Sequence, residues 1–246
     1  MIRFESVSKR FGTAVVLDGL DLEIPDGHTT AVIGRSGCGK SVLLKHIVGL
    51  LEPDAGRVVV DGAIVHELDP DGLDRLRARF GYVFQFSALL DSMTVGDNIR
   101  LGLRRRRLDT GTIEQRVRDS LAVVDLSDSA GQYPAELSGG MRKRAGIARA
   151  IALRPDYILF DEPTTGLDPI TTASMDALIL RVRRDLGATT VVVSHDMRSV
   201  FEVADRIAMM HEGRIRQVGT AAEIRESTDA VVRNFIEGRA EGVATP

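Results

Sequence analysis

Tryptophan is absent from this 246-residue sequence, and cysteine occurs once, as Cys38. A single cysteine excludes an internal disulfide and a zinc site built from several thiolates. Long apolar runs are absent too, because none approaches the ~18 residues that a membrane-spanning helix needs. The first residues also lack the charged and apolar regions of a signal peptide. We therefore expect a cytosolic protein, whatever membrane partner it has.

An excess of basic charge is also lacking. The chain carries 32 Lys and Arg residues against 35 Asp and Glu residues, which gives a net charge of −3. This balance gives no global signal for nucleic-acid binding, and we expect no nucleic-acid partner. With 43% hydrophobic and 27% charged residues, the composition is that of an ordinary globular protein. The length allows one large domain or two modest ones.

The strongest motif is a glycine-rich loop between a predicted strand, residues 29–33, and a predicted helix, residues 42–48. It has the spacing of a phosphate-binding loop, which is a glycine, four residues and then Gly-Lys-Ser. Glycines let successive N–H groups turn inward around an anion, and the helix start adds partial positive charge. The motif therefore predicts a nucleotide site, and the alternative is a glycine-rich turn that binds nothing.

Two side chains of this loop carry specific roles. Lys40 is predicted to reach the β- and γ-phosphates, and Ser41 is predicted to offer its hydroxyl to Mg²⁺. The other residues would contact the nucleotide mainly through the main chain. The full set of predicted contacts here is Gly34, Arg35, Ser36, Gly37, Cys38, Gly39, Lys40, Ser41 and Val42.

Two kinds of strand are predicted. Alternating apolar and polar residues at 2–6 and 20–24 predict strands with one buried face. Residues 157–160 and 189–193 are continuous apolar runs of strand length, and a helix is predicted between them at 175–186. Strands that alternate with helices indicate a parallel sheet. We therefore predict an α/β fold in which an antiparallel β layer joins a nucleotide-binding core.

The middle of the chain, from about residue 73 to residue 132, is more helical and more charged. A short strand over residues 80–85 is predicted to end in Gln85, and a helix is predicted to begin at Thr94. Residues 104–107 are four consecutive arginines. This run is either a solvated surface or a contact with anionic lipid headgroups.

Polar side chains follow the two apolar strands. Because ligands bind at the carboxyl ends of strands in α/β sheets, Asp161 is predicted to hold Mg²⁺ through water. Glu162 is predicted to orient or deprotonate the attacking water. His195 is predicted to contact the γ-phosphate, although a histidine at a strand end is more often structural. Gln85 is predicted to touch Mg²⁺ or the attacking water.

A second glycine-containing helix start, Ser138-Gly139-Gly140, precedes a helix predicted over residues 142–153. A chain with two such helix starts but only one lysine-bearing loop suggests that the second start completes the site of another copy. Phe11 is either a residue that stacks on a nucleotide base or a core phenylalanine.

In content and order, these motifs resemble the ATP-binding subunit of an ABC transporter over almost the whole chain. The resemblance implies an ATPase core with an antiparallel β subdomain and an inserted helical subdomain. It implies Mg²⁺-dependent ATP hydrolysis by a head-to-tail homodimer. This dimer would bind an integral membrane permease and would be a peripheral protein at the cytoplasmic face of the inner membrane. Each ATP would lie between one copy's Lys40 loop and the other copy's Ser138, Gly139 and Gly140. Asp168 would contact the partner subunit.

The residues around the shared motifs are similar to those of Mla/Mce-type lipid transport ATPases. Met141 stands where glutamine is common, and Val42 stands where threonine is more usual. This resemblance implies phospholipid cargo, an MCE-domain lipid-binding protein and a small STAS-domain protein. One alternative is an ABC importer or exporter for another substrate, such as an amino acid or a metal. The other is a non-transport ABC protein of translation or DNA repair.

We expect residues 1–230 to form the ATP-binding domain, with the helical subdomain at about 86–155. Residues 231–246 would form a short C-terminal tail with a last apolar helix, and residues 238–246 are predicted to be disordered. The apolar side chains of Phe235 and Ile236 raise the hypothesis that this tail docks on the partner copy.

Overall fold

The computed structural model describes residues 1–106 and 108–239. It divides into two compact units, of which unit 1 comprises Met1–Asp74 and Val191–Pro246 and unit 2 comprises Arg75–Thr190. Arg107 of the arginine run and residues 240–246 of the predicted disordered segment lie outside the described residues. The two units are described in turn.

Unit 1 contains a four-stranded antiparallel sheet. Its strands are β1 (Ile2–Phe11), β2 (Ala14–Ile24), β4 (Ala55–Val60) and β5 (Ala63–Ile64), and they lie in the order β2-β1-β4-β5. In its register, Phe4 of β1 faces Leu22 of β2 on one side and Val58 of β4 on the other. All three side chains are buried, which is the pattern expected of a sheet with one face in the core. The predicted antiparallel β layer is therefore confirmed.

A second group of strands in unit 1 carries the glycine-rich loop. In β3 (Thr29–Ile33) all five residues are buried, as the continuous apolar run predicts. It pairs in parallel with β9 (Arg206–His211), which pairs in turn with antiparallel β10 (Arg214–Gly219). The β9–β10 hairpin is absent from the sequence predictions above.

The helices of unit 1 are α1 (Lys40–Ile47), α7 (Met197–Val203), α8 (Ala221–Arg225) and α9 (Ala230–Ile236), and α2 (Pro70–Arg77) crosses the boundary between the units. The predicted last helix is thus confirmed as α9. Its residue Val232 is fully buried in a core cluster with Ile33 and Ile207, and Phe235 and Ile236 pack against the same cluster. The apolar face that raised the hypothesis of docking on another copy therefore packs in part against the chain's own core.

We expect Val232→Ala to lower the free energy of unfolding by about 2 kcal/mol, because it removes a fully buried side chain from that cluster. Urea unfolding of the purified chain measures this effect. Val231→Ala is the matched control, since Val231 is only partly buried and should cost less. An unchanged unfolding free energy with weakened self-association would instead restore the docking hypothesis.

Unit 2 contains the parallel pair β6 (Phe80–Val83) and β7 (Tyr157–Asp161), in which Val83 lies opposite Phe160. The first residue of β8 (Thr189–Val193) donates its N–H to the carbonyl oxygen of Asp156, at 2.9 Å. Among the described residues of the unit, four α-helices follow β6, and the first three lie within the expected helical insertion. They are α3 (Val95–Arg104), α4 (Thr110–Val123), α5 (Gly139–Ile151) and α6 (Pro169–Leu186).

Three predicted boundaries in unit 2 are wrong. The strand β6 ends at Val83, so Gln85 lies in the following turn rather than in the strand. Helices α5 and α6 begin several residues earlier than predicted, because Ser138 and Asp168 accept N–H groups of the first turns and act as N-caps.

None of the helices in the described part of the chain combines the length and the hydropathy that a membrane span requires.

Candidate functional site

The glycine-rich loop of unit 1 runs from the end of β3 to the start of α1. Its glycines have positive φ angles of 153° at Gly34, 80° at Gly37 and 107° at Gly39. A Cβ atom at Gly34 would lie 2.4 Å from the carbonyl oxygen of Met210, and one at Gly39 would lie 3.0 Å from that of Val16. Larger residues therefore do not fit at these two positions. The backbone has the conformation that a phosphate cradle requires.

The charge of Lys40 lies inside this loop. The side chain is only 6% exposed, and its Nζ donates to the carbonyl oxygens of Gly34 at 2.8 Å and Arg35 at 3.0 Å. Ser41 and Val42 occupy the same first turn of α1, after Gly39 at the N-cap. A buried ammonium beside a helix start and a glycine loop is suited to holding phosphate oxygens.

Two other predicted residues belong to unit 1. Phe11 ends β1 with its ring 47% exposed, and Lys9 Nζ lies 5.8 Å from the ring centroid. The alternative of a core phenylalanine is therefore wrong, and base stacking stays a prediction. His195 is exposed between the end of β8 and Asp196, the N-cap of α7, so its contact with the γ-phosphate also stays a prediction.

In unit 2, Asp161 and Glu162 stand at the end of β7, and their side chains are 7% and 8% exposed. The hydroxyl of Tyr82 donates to Asp161 Oδ2 at 3.3 Å. Burial raises the pKa of Tyr82 well above its ordinary value, and the charge of Asp161 raises it further. The phenol therefore stays protonated and keeps donating to this carboxylate.

Glu162 has a φ of +53°, in the left-handed region that non-glycine residues seldom adopt. Its Oε2 accepts a hydrogen bond from the hydroxyl of Thr165 at 3.0 Å. Lys143 of α5 donates from Nζ to the carbonyl oxygens of Glu162 at 3.2 Å and Pro163 at 2.9 Å. Burial lowers the pKa of Lys143, and the nearby charge of Glu162 opposes that shift.

A cleft of about 370 Å³ in unit 2 brings three predicted elements together. Gln85 and Phe86 line it from the turn after β6, Gly139 and Lys143 from the start of α5, and Thr165 from the turn after β7. Immediately before Gly139, the hydroxyl of Ser138 accepts the N–H of Met141 at 3.2 Å. Sequence reasoning did not assign Lys143, Thr165 or Tyr82 to the site. The only signal for Lys143 was its place in the unusual run after Met141.

The remaining residues of the predicted set stand at the starts of α5 and α6. A Cβ atom at Gly140 would lie 3.1 Å from Thr171 Cγ2, whereas one at Gly139 would meet nothing within 4 Å. Asp168 accepts the N–H groups of Ile170 at 2.9 Å and Thr171 at 3.0 Å. The Thr171 hydroxyl and these amides lower the pKa of Asp168. Its contact with a partner subunit stays a prediction.

The side chains of the described residues also show what kind of metal site the chain could form. Among residues 1–106 and 108–239, no group of three or more His, Cys, Asp or Glu side chains could hold a metal ion. Mg²⁺ needs no such group, because it keeps several waters and is commonly held by one or two protein ligands and phosphate oxygens. Ser41, Gln85 and, through water, Asp161 stay the predicted ligands of Mg²⁺.

Comparison with known proteins identifies the family of this chain. The family described as ABC transporter matches residues 17–165. The methionine import ATP-binding protein MetN of Rhizobium meliloti is 41% identical over 244 residues, covering 96% of this chain and 68% of that protein. The sulfate/thiosulfate import ATP-binding protein CysA of Mycobacterium tuberculosis is 40% identical, covering 93% of this chain and 64% of that protein. The chain thus spans about two thirds of the length of these relatives.

Solved structures give the same result. The ATP-binding cassette MJ0796, in a dimeric post-hydrolysis state bound to ADP and Pi, is 30% identical with a TM-score of 0.82, covering 90% of this chain and 99% of that one. CbiO1 of Clostridium perfringens, part of the ABC transporter complex CbiONQ, is 28% identical with a TM-score of 0.84, covering 91% and 89%. This chain therefore belongs to the ABC transporter family and has the fold of its ATP-binding cassettes, which bind ATP with Mg²⁺ and hydrolyse it.

Proposed function

We propose that this chain is the ATP-hydrolysing subunit of an ABC transporter. It would act as a homodimer, peripheral at the cytoplasmic face of the cell's inner membrane, on an integral membrane permease. The observation that carries the proposal is the loop of residues 34–41, where a buried Lys40 ammonium lies among glycines with positive φ. That arrangement is suited to binding nucleotide phosphates.

Each residue of the proposed mechanism has a defined task. Lys40 and the loop amides hold the β- and γ-phosphates, and Ser41, Gln85 and Asp161 are the proposed ligands of Mg²⁺. When bound, Mg²⁺ neutralises charge that develops on the phosphate oxygens. Glu162 orients the attacking water and accepts its proton.

Other residues complete the nucleotide site in this proposal. His195 contacts the γ-phosphate, and Phe11 stacks on the base. In the dimer, the Ser138–Gly140 helix start of one copy faces the nucleotide held by Lys40 of the other copy. An exposed helix start with a serine cap and two glycines suits this role, because its main-chain N–H groups can approach an anion.

For the cargo, we favour import of a small solute. The names of MetN and CysA, for methionine and for sulfate or thiosulfate, support this alternative better than phospholipid transport. The phospholipid function stays as a second candidate because of the residues around the shared motifs, which include Val42 and the stretches 88–95 and 162–170. The run Met141-Arg142-Lys143-Arg144 after the second helix start is similar to that of Mla/Mce-type ATPases, and those work with MCE-domain and STAS-domain proteins.

Purification of the complex in mild detergent from native membranes, followed by mass spectrometry of proteins and lipids, separates the two candidates. A permease with a solute-binding protein supports solute import. A permease with an MCE-domain protein and bound phospholipid supports the second candidate and overturns the first. Absence of any permease, together with absence of ATPase activity in the isolated chain, would contradict the transport proposal itself.

The proposed permease contact is the exposed apolar surface after β6. Phe86, in the turn that contains Gln85, is 84% exposed, and Leu90 in the loop that follows is 46% exposed. The rings of Tyr82 and Phe84, just before this turn, stack on each other. An aromatic side chain of this exposure suits an interface anchor, and contact here would link the permease to Gln85. Movement on hydrolysis would then pass to the permease through residues 85–94.

We expect Phe86→Asp to weaken permease binding roughly 30-fold, the effect of losing an anchor of about 2 kcal/mol. The measurement is the affinity between the purified chain and its detergent-solubilised permease. Leu50→Asp is the matched control, because Leu50 is also an exposed apolar side chain, at 53%, and is not one of the residues after β6. Equal affinities for the two variants would place the permease contact elsewhere.

A further inference from the structure

Helix α5 carries two cationic side chains that hold main-chain carbonyl groups of the site. Lys143 donates to the carbonyl oxygens of Glu162 and Pro163, at 3.2 and 2.9 Å. Two turns later, Arg149 donates to the carbonyl oxygens of Ser87, at 2.9 Å, and Ala88. One helix is thus bonded to the turn of the proposed base and to the turn that follows Gln85.

Both turns have a backbone that needs support. Glu162, Ser87 and Ala88 have φ angles of +53°, +55° and +49°, in the left-handed region that favours glycine. Non-glycine residues keep such angles only where the surroundings hold them. The ammonium of Lys143 and the guanidinium of Arg149 supply hydrogen bonds at these positions.

Both cations are partly buried against these turns, and burial lowers the pKa of Lys143 and also that of Arg149. Helix α5 also approaches the second turn closely, since a Cβ atom at Gly146 would lie 3.3 Å from the carbonyl oxygen of Ser87. A displacement of α5 therefore displaces both turns.

We infer that Lys143 and Arg149 are positioning residues that couple the start of α5 to the backbone of Glu162 and of the Gln85 turn in the same copy. The inference rests on the proposed function, in which Ser138–Gly140 at the start of α5 receives the nucleotide held by the other copy. An anion bound at that start fixes the position of the helix. Lys143 and Arg149 then fix the two turns, so filling one site of the dimer prepares the other.

A third cation of α5 provides the matched control. Arg144 donates to the carbonyl oxygen of Val124 at 3.1 Å and forms an ion pair with Asp125 at 2.9 Å. Asp125 also has a positive φ, of +58°. Arg144 thus supports the same kind of turn from the same helix, but this turn contains none of the proposed site residues.

The test compares steady-state ATPase kinetics of the full chain, with its permease where turnover requires it. We expect Lys143→Met and Arg149→Met to lower kcat roughly 10- to 100-fold, the effect of misplacing a catalytic group by about 1 Å. The KM for ATP should change less than about threefold, because Lys40 and its loop still bind the phosphates. The Hill coefficient for ATP should fall towards 1. Lys143→Arg should keep most of kcat, because a guanidinium can also donate to two carbonyl oxygens.

Arg144→Met should keep kcat within about threefold of wild type, whereas a loss equal to that of Lys143→Met would overturn the inference. Wild-type kcat and cooperativity in both Lys143→Met and Arg149→Met would overturn it too. If circular dichroism shows that Lys143→Met does not fold, Lys143→Gln takes its place in the test. The glutamine amide can donate to one carbonyl oxygen, and we expect this variant still to have a lower kcat than wild type. Absence of ATPase activity in the wild-type chain would instead mean that the proposed function fails.

Discussion

Replacing Lys40 with alanine is expected to weaken ATP binding by at least about 30-fold. The ammonium is 6% exposed and lies between the carbonyl oxygens of Gly34 and Arg35, where it can meet the β- and γ-phosphates. Removal of one partner from a buried, charged hydrogen-bonded pair typically costs about 2–5 kcal/mol, and each 1.4 kcal/mol is tenfold in affinity. Titration with a fluorescent ATP analogue measures the change.

Two further variants make that result specific. Lys45→Ala removes the same side chain from the same helix at an exposed position, so its affinity for ATP should match that of wild type. Lys40→Arg keeps the charge, but it places a larger, planar guanidinium where the ammonium is only 6% exposed inside the loop, and affinity should fall as well. Unchanged affinity in Lys40→Ala would mean that the loop of residues 34–41 is not the phosphate site.

Replacing Glu162 with glutamine is expected to lower kcat for ATP hydrolysis by about 10²- to 10⁴-fold, the usual contribution of a general base. The amide oxygen of glutamine can still accept the hydrogen bond from the Thr165 hydroxyl. Lys143 Nζ donates to the main-chain carbonyl oxygen of residue 162, which the substitution does not change. The backbone should therefore stay in place while proton acceptance is lost. Single-turnover hydrolysis of radiolabelled ATP measures the chemical step.

The same variant should bind ATP as tightly as wild type and accumulate as a dimer, because binding and hydrolysis use different residues. Size-exclusion chromatography with light scattering, in the presence of Mg²⁺ and ATP, detects this dimer. Glu202→Gln, at an exposed position on α7, is the control and should remain monomeric or dimeric to the same degree as wild type. Wild-type turnover in Glu162→Gln would assign the base to another residue.

Much of the fold follows from residue patterns that have a direct physical cause. Strands β3 and β8 were predicted with the bounds that the structure has, because buried parallel strands are continuous apolar runs. The phosphate loop was predicted from glycine spacing, and positive φ angles at Gly34, Gly37 and Gly39 explain that spacing. These features depend on local sequence alone.

The β9–β10 hairpin has a local signal that the predictions did not use, namely the apolar run of residues 207–210 and the Glu-Gly turn that follows it. Other features depend on contacts that no local pattern contains. The bonds from Lys143 to Glu162 and from Tyr82 to Asp161 join residues far apart in the chain, so only the folded structure gives them. The cargo is harder still, since the motifs that bind ATP do not contact it.

The start of α6 has a thermodynamic consequence for assembly. Asp168 accepts two main-chain N–H groups with one carboxylate oxygen and the Thr171 hydroxyl with the other. Its side-chain torsions are therefore already restricted in the single chain. A partner subunit that donates to this carboxylate meets a preorganised acceptor, so forming that contact removes little side-chain entropy. In the proposed dimer, the same three hydrogen bonds that begin the helix would therefore lower the entropic cost of association.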